Sequence, residues 1–288
     1  MFLQAVANGI VLGSLFALLG VGLTLTYGVM EVPNFAQAGV ITLAAYTMLW
    51  LNQTAAWPFG LAVLGGLAVG GVLSVLTERL AYRFVRTRPL AAPVVALGIL
   101  LVLDNIALVL FGGDHVSLSP PYAGDALHLG AVNVPAVGVA LIATTAVALL
   151  ALYLFLQRTR TGRAIRAVSQ NAEAAATLGI RLEQQYVISF FISGILAGLA
   201  AFAYGPMYAV FPYMADAILL NAFVVVVLGG LGNVGGAAVC GLFLGLLESF
   251  GAVYISAAYQ TLFGFAVLLL MIVLRPSGLF SSGARRIA

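Results

Sequence analysis

Two carboxylates stand almost alone inside long apolar runs: Asp104, followed by Asn105, and Glu248. An acid at the centre of a bilayer costs about 2.5–3.5 kcal/mol on insertion scales, so each should face a protein interior or lie near a helix end. Either group has the chemistry of a proton carrier. With no basic residue in the spans to pair with, packing or lining a cavity is the simpler role. Gly230, Gly232 and Gly235 fit the dinucleotide spacing G-x-G-x-x-G. That spacing has meaning only between a strand and a helix, with an acid about 20 residues further on. Here apolar runs flank it and Glu248 is too near, so nucleotide binding is rejected. All twelve basic residues are arginines. A Walker A loop requires a lysine, so any ATP must be hydrolysed by another polypeptide. Cys240 is single, and His115 and His128 stand apart in a polar loop, which leaves no disulfide and no metal-ligand spacing.

The elements that position these residues follow from composition. The chain has 288 residues, 63% hydrophobic and 7% charged, against roughly 45–50% and about 25% in soluble domains. Polar surface is too scarce for a water-soluble globule, which excludes a cytosolic enzyme, a disordered tail and a nucleic-acid module. Nine apolar segments approach the length of a membrane span, near 5–27, 35–51, 58–77, 89–111, 134–156, 186–206, 217–231, 237–255 and 260–274. The second, seventh and ninth are short. The first begins without the positive flank of a cleavable signal and is read as a span. The expected fold is an all-α polytopic transmembrane bundle, a single domain over 1–288, with about 8–10 membrane segments, some short or re-entrant.

Arginine placement sets the orientation. Arg79, Arg83, Arg86 and Arg88 lie in one loop, Arg158, Arg160, Arg163, Arg166 and Arg181 in a second, and Arg275, Arg285 and Arg286 at the end. The loops at 52–57, 112–133 and 207–216 hold none. The positive-inside rule places the three arginine-bearing stretches, and the C-terminus, in the cytoplasm. The outer loop at 112–133 reads either as a small ordered cap or docking surface or as a plain connector.

Two stretches interrupt the apolar pattern, 27–39 and 228–236. Breaks in both halves of a transporter often mark the substrate path, but ordinary surface turns would read the same. Small residues four apart recur at Gly9/Gly13, Gly66/Gly70, Gly194/Gly198 and Gly241/Gly245. These are helix-packing ridges, which allow backbones to approach closely in lipid.

Residues 157–185 form the most informative polar stretch. Asn171 is a strong N-cap, Glu173 follows in the first turn, and Gly179 supplies the stop. So short a helix is marginal alone and must pack on something. Ile165, Val168, Ala172, Ala175 and Leu178 offer an apolar edge, suited to a groove on a partner protein or to the headgroups of the lipid bilayer.

Nearly the whole chain resembles the permease subunits of branched-chain amino-acid ABC importers, of the LivH type. The likeness rests on Asn8-Gly9 with Gly13-Ser14 and Ala17-Leu18, and on Thr26-Tyr27-Gly28 followed by Asn34-Phe35-Ala36. It continues through Thr161-Gly162-Arg163-Ala164, Ala174-Ala175 and Leu178-Gly179-Ile180, then Val227 to Gly232 with Gly235-Gly236-Ala237, and ends at Arg275 to Phe280. The resemblance implies a homologous second permease subunit, two ATPase subunits and a periplasmic substrate-binding protein, in a bacterial inner membrane. It implies no cofactor on this chain, ATP being used by the partners. It also implies that the segment around 163–179 touches an ATPase, with Arg163, Arg166, Asn171, Glu173, Ala175, Leu178 and Gly179 as coupling residues. Zwitterionic leucine, isoleucine or valine would need amides and apolar walls along the path, for which Asn8, Asn34, Gln37, Asn105 and Asn221 are the candidates. The chain departs from the family where Gln37 replaces a frequent histidine, Ala38 a glycine and Asp104 a glutamine. The alternatives are a related ABC permease for urea, short amides or other amino acids, and a stand-alone proton-coupled transporter using Asp104, Glu31 or Glu248.

Overall fold

The computed structural model describes residues 1–86, 88, 91–129, 132–275 and 278–280. Arg285 and Arg286 of the third arginine stretch, and Pro276 and Ser277 of the C-terminal motif, lie outside them.

Helix α1 (Phe2–Met30) has 29 residues and is apolar all round. At 1.5 Å per residue it is about 44 Å long, more than a hydrocarbon core requires. A helix without a polar face belongs inside, and α1 is buried along most of its length, packed on α6 (Ala136–Arg158), α9 (Leu182–Tyr208), α10 (Asp216–Gly229) and α11 (Val234–Tyr254). Helix α2 (Gln37–Leu49), continued by a π turn at Trp50–Thr54, is almost as enclosed. Helix α3 (Phe59–Thr77) runs through a second π turn, Glu78–Tyr82, into the short α4 (Arg83–Val85). Helix α5 (Ala92–Phe111) packs on α2. The amphipathic α7 (Arg160–Gln170) and α8 (Ala172–Thr177) link α6 to α9. Helix α12 (Gln260–Leu274) is mostly exposed on the outside of the bundle.

Seven of the described helices are long and apolar enough to cross a membrane. Helices α2 and α10, with 13 and 14 residues, are the short ones. The ninth segment reaches span length because a 3-10 turn at Ala257–Tyr259 extends it.

The four glycine pairs face one another two by two. Gly9 and Gly13 of α1 meet Gly241 and Gly245 of α11: a Cβ on Gly13 would lie 2.8 Å from the Leu242 Cα, and one on Gly245 would strike the Gly13 backbone. Gly66 and Gly70 of α3 meet Gly194 and Gly198 of α9, where a Cβ on Gly70 would lie 2.6 Å from the Gly194 carbonyl oxygen. These are the two most extensive helix contacts in the bundle. With no hydrophobic force between helices in lipid, contact at backbone distance supplies the attraction.

At one end of the bundle the arginine-free loops join. Val116 and Val210 form a bridge, and Gln4 exchanges hydrogen bonds of 2.9 Å with the Asn133 backbone. The 112–133 loop is ordered: β1 (Ala126–Leu129) pairs antiparallel with β2 (Val132–Pro135), a hairpin that an all-α reading omits. His115, expected as a solvated loop residue, stacks on Phe211 with ring centroids 4.5 Å apart, although it remains exposed.

At the other end lie the described arginines and both breaks in the apolar pattern. Gly28 packs against Gly232 and Ser169. Asn233 caps α11 through the Gly236 N–H and donates to the Phe280 carbonyl at 2.7 Å, while the Leu279 N–H bonds Leu228 O at 2.8 Å. The glycine-rich break and the C-terminal motif therefore form one joint.

Candidate functional site

The polar segment at the arginine end comprises two helices: the short one expected between Asn171 and Gly179, and a longer one before it. Thr159 is extended (φ −91°, ψ 155°), and its side chain accepts from the Gly162 N–H at 2.9 Å, starting α7. Gly162 lies so close to α6 that a Cβ would fall 2.5 Å from the Leu156 Cα. Asn171 is again extended (φ −159°), which ends α7. Its side chain accepts from the Ala174 N–H at 2.8 Å and starts α8, with Glu173 in the first turn, as expected. Gly179 stops the segment at φ +81°.

Only part of the expected apolar edge docks on the bundle. Ile165, Val168 and Ala175 are buried, and Ala172 is half-buried. Leu178 is 81% exposed. Arg163 and Glu173 are exposed and Arg166 half-buried, so the outer surface is a charged face with one apolar knob. Helix α7 rests on α1 and α9, and α8 on α9.

The five amides do not converge on one cavity. Asn8 is exposed at the arginine-free end, accepting from Gln4 at 3.0 Å. Asn34 is buried and accepts from the Tyr82 hydroxyl at 3.0 Å. Gln37 is buried between α1 and α9: its Oε1 accepts from Ser193 at 3.0 Å, and its Nε2 faces Gly22 without a hydrogen-bond partner among the described residues. Asn105 is exposed on α5 and donates to Leu101 O at 2.7 Å. Asn221 is buried on α10, and its Oδ1 has no partner among the described residues.

Asn221 does have a polar neighbour that the path expectation omits. Gly264 of α12 leaves room beside both the Asn221 Oδ1 and the Glu248 Oε1, to which a Cβ would come within 3.7 and 3.0 Å. Gln260, one turn before Gly264, donates to the other Glu248 oxygen at 3.5 Å. The i, i+4 pair Gln260/Gly264 is the sequence signal for this cluster. Asp104 is likewise 1% exposed, facing the interior as expected of an acid in a span. Among the described residues no group of His, Cys, Asp and Glu could hold a metal.

Comparison with known proteins decides the family. Residues 5–273 match the family model described as the branched-chain amino acid transport system / permease component. The chain belongs to this permease family. It is 31% identical to the high-affinity branched-chain amino acid transport system permease protein LivH of Escherichia coli, over 96% of this chain and 95% of LivH. It is 28% identical to BraD of Pseudomonas aeruginosa over the same shares of the two chains. Among solved structures, the permease is similar in fold to PsaBC from Streptococcus pneumoniae in complex with Fab, with TM-score 0.51 and 13% identity over 96% of this chain and 93% of that one. The permease is thus a transport subunit and not an enzyme.

Proposed function

We propose that this permease is one membrane subunit of a binding-protein-dependent ABC importer for branched-chain amino acids in a bacterial inner membrane. A homologous permease subunit completes the translocation path, and two ATPase subunits grip α7–α8 from the cytoplasm. The periplasmic binding protein delivers its cargo to the arginine-free end. The observation that carries this reading is the segment 159–179: two capped helices docked on α1 and α9, with Leu178 and the charged face turned outward. ATP-driven movement of the ATPases shifts this segment and tilts α1 and α9 between outward and inward openings.

The five amides act along the route. Asn8 receives the zwitterion at the outer mouth, Asn221 and Gln37 offer their unused polar groups inside, and Asn34 lies near the exit. Asn105, on the open flank of α5, faces the second permease subunit. Each contact is weak, because a path that binds tightly cannot release; selectivity belongs to the binding protein.

Reconstitution tests this. With the ATPases, the second permease and the binding protein in proteoliposomes, ATP should drive uphill leucine uptake, and the chain alone under a pH gradient should give none. Uptake by the chain alone would make it a proton-coupled transporter. ATP-driven uptake of urea, short amides or other amino acids in place of leucine would move it to a related importer.

A further inference from the structure

At the foot of α3 the structure holds a feature that transport as described does not use. A cavity of about 110 Å³ is lined by Glu78, Arg79, Arg83, Arg86, Glu183 and Gln184. Three guanidinium groups thus share the space with two carboxylates. Glu78 is 2% exposed and turned into the protein. Arg83 and Arg86 both converge on one oxygen of Glu183, at 3.7 and 3.0 Å. Arg79 has no ion-pair partner among the described residues, and the Arg86 Nη1 is buried without a hydrogen-bond partner there. The Arg86 guanidinium is held over the Tyr186 ring, 5.1 Å from its centroid. The cavity carries a net positive charge and unspent, pre-oriented donors.

The same helix bears a second, independent feature. Val72, Leu76, Leu80 and Phe84 are 54%, 43%, 72% and 70% exposed, four residues apart along α3, the π turn and α4. This apolar stripe ends beside the cavity, since Leu80 follows Arg79 and Phe84 follows Arg83. The second permease subunit is placed against α5, which leaves this stripe to acyl chains. The phosphate from which such a chain hangs would then lie level with the arginines.

We infer that this cavity binds the phosphate headgroup of an anionic phospholipid whose acyl chain lies along the Val72–Phe84 stripe. The planar guanidinium fork matches phosphate oxygens in charge and geometry, and basic pockets between membrane helices on the cytoplasmic side take such headgroups. Because Arg79, Arg83 and Arg86 lie at the foot of α3–α4 while Glu183 and Gln184 begin α9, the bound lipid braces these helices immediately next to the coupling segment.

The test is lipid retention by the full-length permease in mixed phosphatidylcholine/phosphatidylglycerol nanodiscs, read by native mass spectrometry after detergent exchange. The wild type should retain phosphatidylglycerol in preference to phosphatidylcholine. Arg79→Gln, which breaks no ion pair and so threatens folding least, should reduce that preference about fivefold. Leu80→Ser with Phe84→Ser should weaken it while leaving the arginines in place. Arg88→Gln, outside the cavity, should not change it. Inorganic phosphate should compete poorly, because it lacks the tail. Unchanged retention in Arg79→Gln would overturn the inference. So would displacement of the lipid by equimolar phosphate, which would assign the site to a soluble anion, or loss of ATPase co-purification by Arg79→Gln with lipid retention intact, which would make the cavity a protein contact.

Discussion

Arg86 donates to Glu183 at 3.0 Å across 97 residues of chain, and Arg83 reaches toward the same oxygen. One carboxylate at the start of α9 thus gathers arginines from the foot of α3–α4, which places the first two arginine stretches at the same end of the bundle. If positive charge marks the cytoplasm, Arg83→Cys and Arg163→Cys should both react with a membrane-impermeant thiol reagent in inside-out vesicles and neither in intact spheroplasts. Opposite labelling of the two positions would contradict the topology.

The glycine seams should tolerate nothing larger. Gly70→Val and Gly245→Val each push a side chain into backbone, at Gly194 and Gly13 respectively. Overpacking costs about 1–3 kcal/mol and more where backbone cannot yield. Both variants should lower the melting temperature in detergent by several degrees or fail to accumulate in the membrane. Gly60→Ala and Gly98→Ala, where a Cβ meets nothing within 4 Å, should match the wild type.

The proposed coupling segment separates stability from partner contact. Asn171→Ala removes the cap of α8, a loss of about 1 kcal/mol that frays a helix of only two turns. Gly179→Val strains a residue held at φ +81°. Leu178→Ser should leave thermal stability unchanged, because the side chain touches little of this chain, yet should reduce ATPase co-purification severalfold. Ala175→Asp, at a buried contact, should damage both. Equal ATPase binding by Leu178→Ser and wild type would remove Leu178 from the proposed interface.

What could be read from the sequence followed the range of the interaction. Gly9/Gly13 and Gly241/Gly245 were legible as packing ridges because lipid leaves small residues few other uses. That they face each other is a tertiary fact with no local trace. The caps at Asn171 and Gly179 were legible because capping is decided within four residues. Thr159 starts α7 by the same local chemistry, within four residues. Leu178 reads as part of a docked edge because helical periodicity cannot say which side of a short helix meets the bundle. The amides show the sharpest limit. Asn34 finds Tyr82, Gln37 finds Ser193 and Asn221 lies beside Glu248, each on a different helix, so residue type marked them as special without revealing their neighbours.

Glu248 offers the last test, because it divides the two modes of transport. Its carboxyl accepts from Gln260, one oxygen is buried without a partner among the described residues, and no cation pairs with it there. A glutamine has nearly the same shape, carries no charge to desolvate, and can still accept from Gln260 through its carbonyl. Glu248→Gln should therefore fold with wild-type or slightly higher thermal stability. If Glu248 only lines or packs beside the Asn221 space, ATP-driven leucine uptake in the complete reconstituted importer should stay within about twofold of wild type, a change of roughly 0.4 kcal/mol. If the carboxyl instead carries a proton, the same substitution would abolish accumulation and remove any dependence of uptake on an imposed pH gradient. Glu248→Ala, by contrast, opens a cavity at a nearly closed site and should destabilise the bundle by about 2–4 kcal/mol whichever role holds, so the glutamine variant is the one that discriminates.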